Sequence, residues 1–185
     1  VNSTGSVEVA NVDATGSTMT VTSSAGDILS SNAANSLSVD NITFNASGSV
    51  GTAANPFVLI QDNSSSINID SGNGVYMKTA TGNLKIDRLV NTDGNIDLTA
   101  GQDLIVTTAT NALVGDNISL KAEFGEIRDA SGGTIRFNLI DSVDNGSVSA
   151  YSRVGDLAMV ETDGDMRVGV IDISGNLTLT VDNGS

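Results

Sequence analysis

The sequence predicts an all-β chain wound as a parallel β-helix, and three observations carry that expectation. No window of a dozen residues sustains the i, i+3, i+4 apolar stripe of a helix. Apolar and polar residues instead alternate in short runs, with turn residues between them every ~8–12 positions. A glycine-led phrase also recurs: Gly82-Asn-Leu-Lys-Ile, Gly94-Asn-Ile-Asp-Leu, Gly155-Asp-Leu-Ala-Met-Val, Gly164-Asp-Met-Arg-Val and Gly175-Asn-Leu-Thr-Leu-Thr-Val. Each copy is a glycine, a short polar residue and a brief alternating strand.

Taken in order, the first strands are Ser6-Val-Glu-Val, Met19-Thr-Val, Ser36-Leu-Ser-Val and Asn41-Ile-Thr-Phe. Pro56-Phe-Val-Leu-Ile, Ser66-Ile-Asn-Ile and Gly74-Val-Tyr-Met follow, then the Gly82 and Gly94 copies of the phrase. Asn117-Ile-Ser-Leu and Ile135-Arg-Phe-Asn-Leu-Ile lead into the last three copies. The stretches from Ser23 to Asn35 and from Gly48 to Asn55 read as long corners that leave the stack and return. Strand spacing alone fits a sandwich, a barrel or a solenoid, and repetition selects the solenoid. Asn41-Ile-Thr-Phe matches Asn117-Ile-Ser-Leu, the run from Gly74 matches that from Gly155, and the run from Gly94 matches that from Gly175. These offsets stay near ~80 residues, a long repeat built of shorter coils.

The expected coil has ~20–25 residues and pairs with the next at ~4.8 Å, so about eight coils make a rod roughly 40 Å long. Val, Ile, Leu and Ala face inward, with Gly and Asn at corners that need positive φ or little bulk. Ile96, Leu98, Ile118, Leu120, Leu177 and Leu179 are expected to be buried. The absence of Trp suits a narrow interior. One β-helical segment over residues 1–185 is expected, as an internal piece of a longer chain.

The net charge of −14, from 22 acidic and 8 basic residues, argues against a nucleic-acid partner and an anionic membrane surface. No stretch approaches the ~20 apolar residues of a membrane-spanning helix, so no membrane insertion is expected. Cysteine and histidine are absent, which removes disulfides, thiolate metal sites and the commonest general base.

Candidate chemistry is sparse, and no catalytic, cofactor-binding or metal-ligating residue is assigned. Glu161, Asp163 and Asp165 alternate within Glu-Thr-Asp-Gly-Asp, and Asp141 and Asp144 fall near one corner. Calcium takes six to eight oxygens, so a calcium site is an alternative, but Asp and Asn at glycine-containing turns are expected on backbone grounds. Polysaccharide-active enzymes also use this fold. They need facing carboxylates or clustered cations and, as a rule, aromatic platforms. Here Lys78, Lys85, Arg88, Lys121, Arg128, Arg136, Arg153 and Arg167 are spread along the chain, with only Tyr76 and Tyr151 as tyrosines. Asn-x-Ser/Thr at Asn41, Asn45, Asn63, Asn117 and Asn176 is the acceptor pattern for glycosylation, but strand alternation of Asn, an apolar residue and Ser or Thr also produces it automatically.

Gly48-Ser-Val-Gly-Thr-Ala-Ala-Asn-Pro-Phe, Gly82-Asn-Leu-Lys-Ile and Gly94-Asn-Ile-Asp-Leu-Thr-Ala-Gly-Gln-Asp-Leu-Ile-Val resemble the filamentous-haemagglutinin-like repeats of giant bacterial exoproteins. The resemblance implies a right-handed parallel β-helix, exported and displayed at the bacterial cell surface, serving adhesion or extracellular matrix building. On that basis the chain is expected to be a non-enzymatic structural shaft. Its partners would be flanking β-helix coils or identical subunits, and ligands on host or neighbouring-cell surfaces. Alternatives are a fibre subunit stacking end to end, a calcium-dependent adhesive module, and a β-helical polysaccharide-active enzyme.

Overall fold

A computed structural model of the protein describes residues 1–60, 66–107, 113–139 and 146–184. Among them no helix occurs and twenty strands form. They are β1 (Asn2–Ser3), β2 (Val7–Val9), β3 (Val12–Ser23), β4 (Ile28–Ser30), β5 (Ser36–Ala46), β6 (Phe57–Ile60), β7 (Ser66–Ser71), β8 (Val75–Thr79), β9 (Leu84–Ile86) and β10 (Arg88–Asn91). The second half holds β11 (Ile96–Ala100), β12 (Leu104–Val106), β13 (Leu113–Gly115), β14 (Ile118–Ala122), β15 (Ile127–Asp129), β16 (Ile135–Leu139), β17 (Val148–Ser152), β18 (Leu157–Glu161), β19 (Val168–Ile173) and β20 (Leu177–Val181).

The pairing is parallel and each strand bonds to its counterpart one turn away, which gives a β-solenoid of about seven turns. One column runs Val7, Ile28, Val50, Val75, Ile96, Ile118, Val148, Val168. Its members lie 20 to 30 residues apart, and the longest step contains residues 140–145, outside the described set. A second face stacks β5, β7, β10, β13, β16, β18 and β20. A third stacks β9, β12 and β15. β5 bends across two faces: Ser36–Ser38 pairs with β6, whereas Asn41–Ala46 pairs with β7.

Strict alternation explains why each strand has an inner and an outer side. In β8, Val75, Met77 and Thr79 are buried while Tyr76 and Lys78 are partly exposed. The interior is a continuous aliphatic column, with Phe44, Phe57 and Phe137 as the largest fully buried side chains. The Phe44 and Phe57 rings meet at 5.1 Å between centroids.

Four expectations need correction. About seven turns form, not eight. The offset near ~80 residues is no whole number of turns, so it moves a phrase to another face. Ile42 stacks on Ile67, whereas Ile118 stacks on Ile96; Leu98 stacks on Met77, whereas Leu179 stacks on Met159. The long corners are also shorter than read. Ile28 and Val50 are fully buried and paired to each other, leaving 31–35 and 51–56 as the excursions. Finally, Ile96, Leu98, Ile118 and Leu120 are buried as expected, but Leu177 is 43 % exposed and Leu179 half-buried, because no described turn covers the last one.

Candidate functional site

The richest chemistry on the surface lies on the outer side of β8, β11, β14, β17 and β19. Register sets Tyr76, Asp97, Ser119 and Ser149 in one outward row along the stack. Two residues further along each strand, a second row runs Lys78, Thr99, Lys121, Tyr151, Asp172. Both tyrosines of the chain and two of its three lysines therefore share one strip.

At one end, the excursion 51–56 rises beside Tyr76. Ala53 and Pro56 line a shallow depression with Tyr76, Lys78, Asp97 and Thr99. The Tyr76 ring lies against Gly74: a Cβ on that glycine would approach ring Cε2 to 2.7 Å. Crowding of Asp97 by its neighbours raises its carboxyl above the usual range, and the Lys121 ammonium pulls it partly back.

At the other end, Lys121 Nζ sits 5.2 Å and the Arg153 guanidinium 5.7 Å from the centre of the Tyr151 ring. Cations favour that position because the ring face is electron-rich. Lys121 also pairs with Glu123 at 2.8 Å. Shallow grooves flank the ring, one lined by Ser119, Lys121 and Asp172 and the other by Arg153, Asp172 and Ser174.

The acidic phrase near the end of the chain does not converge. Glu161 is fully buried, and its carboxylate accepts the amides of Leu139 at 2.9 Å and Asp163 at 3.1 Å. Asp163 and Asp165 are exposed. No three acidic groups gather as a metal site among the described residues. Asp141, Asp144 and Asn63 lie outside the described residues. Of the dispersed cations, Arg88 pairs with Asp70 at 2.6 Å and Arg128 with Asp103 at 2.9 Å, each across neighbouring turns. Arg136 pairs with Asp182. Lys85 and Arg128 line a shallow surface depression with Asn83 and Ile105.

Sequence reasoning missed a set of inward polar residues at strand ends. Thr79 donates to the Gly82 carbonyl at 2.7 Å and Ser152 to that of Val154 at 2.8 Å. Asn91 is fully buried; it accepts from Ser71 at 2.8 Å and donates to the Gly94 carbonyl at 2.7 Å. Asp129 accepts the amides of Ser131 and Gly133 and the Ser131 hydroxyl. Burial works to raise the Asp129 carboxyl, but these bonds and Arg128 outweigh it and hold it below the usual range. For Glu161 the balance reverses, and burial holds the carboxyl above its usual range despite the amides. These groups satisfy turns, so they read as structural. Their signal in the sequence is a Ser, Thr, Asn or Asp that ends an alternating run in an inward position.

No family model, curated protein or solved structure matches the chain.

Proposed function

We propose that the chain is a structural, non-catalytic shaft segment of a large exported bacterial adhesin or matrix protein of the filamentous-haemagglutinin-like kind. The observation that supports this most is the uninterrupted register. Eight aliphatic residues, from Val7 to Val168, stack in one column, and the strands of each turn pair only with those of its neighbours. Such a stack fixes length at ~4.8 Å per turn and lets surface residues vary freely. The buried acids Asp129 and Glu161 are engaged by backbone amides, which suits a scaffold better than a reaction centre. A second reading is end-to-end stacking of copies. Val168 is 47 % and Leu177 43 % exposed, and a second copy seated on that face would bury them.

Electron microscopy of the purified chain, in calcium and in chelator, tests both readings. Separate short rods under both conditions support the shaft. Long fibres support end-to-end stacking. Release of new sugar ends from a polysaccharide panel would overturn the non-catalytic reading.

A further inference from the structure

We propose that the outward strip from Tyr76 to Asp172 binds a neutral, extended oligosaccharide lying along the stack axis. This rests on the fold and the strip alone, and stands or falls separately from the shaft reading.

Three features of the strip select that ligand. The first is the aromatic surface. The Tyr76 ring lies close against Gly74, which leaves no room there for a Cβ, and the residue is partly exposed on the outer side of β8. The apolar face of a sugar ring packs on such a surface. Tyr151 plays a different part. Its ring already carries Lys121 and Arg153, so it holds those two donors in place between two grooves.

Charge is the second feature. Lys78, Lys121 and Arg153 stand against Asp97, Glu123 and Asp172, so the strip is balanced within a chain of net charge −14. An anionic polymer gains no net attraction there and is repelled by the rest of the molecule. A polycation is drawn to the whole surface and has no preference for this face. A neutral ligand bearing hydroxyls uses the mixture itself, accepting from lysine and donating to aspartate, with Thr99, Ser119 and Ser149 able to do either.

Spacing is the third. Successive turns present side chains at ~4.8 Å, close to the advance of one sugar along an extended glycan. Each turn therefore meets about one sugar. From β8 to β19 the strip covers five turns, a span of about 19 Å, so four or more sugars fill it. Individually weak contacts then add along the chain, and affinity must grow with ligand length.

The composition provides the assay. The chain has no tryptophan, and both tyrosines lie on the strip, so tyrosine fluorescence reports on the strip alone. The intact chain is titrated with cellohexaose, xylohexaose, cellobiose, xylobiose and hexagalacturonate, with calorimetry as the second readout. A saturable change is expected with at least one neutral hexasaccharide, with a Kd in the millimolar range or below. The matching disaccharide should bind about tenfold or more weakly. Tyr76→Ala should abolish the calorimetric signal. Gly74→Ala keeps both tyrosines but displaces the Tyr76 ring, and should weaken binding about fivefold or more. Melting curves check that both variants fold; Tyr76→Ala removes only a partly exposed, outward side chain and decides the matter if Gly74→Ala does not fold. No saturable response to either neutral hexasaccharide up to about 10 mM overturns the proposal. So does unchanged affinity in Tyr76→Ala, or a response to hexagalacturonate alone.

Discussion

At the residue scale, the glycine-led phrase has two separate jobs. Gly94 has a φ of +97°, and a Cβ there would come within 2.6 Å of Asn73 Oδ1, so both conformation and space require glycine. The polar residue after the glycine braces the next turn. Asn83 accepts the Asp103 amide at 3.0 Å, and Asp156 accepts the Asn176 amide at 2.7 Å. Asp103 continues the series by accepting the Glu126 amide at 3.0 Å while pairing with Arg128. The phrase was legible as a corner, but its polar residue was not legible as a brace, because its partner lies 20 or more positions away. Asp103→Ala should therefore cost about 1–3 kcal/mol in urea unfolding, more than an ordinary exposed aspartate. Two of the buried acids, Glu161 and Asp129, give opposite pH dependences. Glu161 has a raised folded pKa, so its contribution is fully present below the unfolded value and is lost as pH rises through the folded one. Asp129 has a lowered folded pKa, so its contribution is present above the unfolded value and is lost as pH falls through the folded one. Relative to wild type, Glu161→Gln should flatten any gain in urea midpoint between about pH 7 and 5, and Asp129→Asn should flatten the loss below about pH 4. Identical profiles for wild type and both variants would refute this assignment.

Elements were legible where alternation ran for several residues and obscure where one aliphatic did the work. β8, β11 and β14 follow from the pattern alone, since Val75-Tyr-Met, Ile96-Asp-Leu and Ile118-Ser-Leu each place two aliphatics inward. Val50 has no such pattern around it, yet it is buried and bridges Ile28 and Val75. Its column position comes from the neighbouring turns, which local sequence does not encode. The same comparison shows what the excursion is. Val50 pairs with Val75 and Phe57 with Met77, so residues 51–56 occupy the place that Tyr76 fills alone in the next turn. Removing Thr52–Pro56 leaves Gly51 in that place and restores the uninterrupted form. Because extra loop residues add little beyond closure entropy, this deletion should leave a cooperative fold with a melting temperature within a few degrees of wild type. A collapse of the transition would mean that the excursion itself holds β6 and β8 in register. The candidate strip was illegible for a related reason. Tyr76 and Tyr151 stand far apart in sequence, and only the count of turns between them shows that they share a face.

The whole molecule behaves as a line of turns, each stabilised by the one on either side. In this arrangement a defect's effect depends on how many neighbours it disturbs. Leu98 lies between Met77 and Leu120 and is fully buried. Leu177 belongs to the last turn, with Leu157 on one side only, and is 43 % exposed. The same substitution to aspartate should therefore give different outcomes. Leu98→Asp places an unpaired charge between two turns and should abolish the cooperative melting transition, by the desolvation of a buried ion. Leu177→Asp leaves its carboxylate in reach of water and should lower the melting temperature by only a few degrees. The comparison separates a stack from a conventional core, in which both leucines would belong to one cooperative unit. Equal loss of structure in the two variants would show that the last turn is as tightly coupled as the middle ones, and would remove the nearest-neighbour description on which a shaft of freely repeated turns depends.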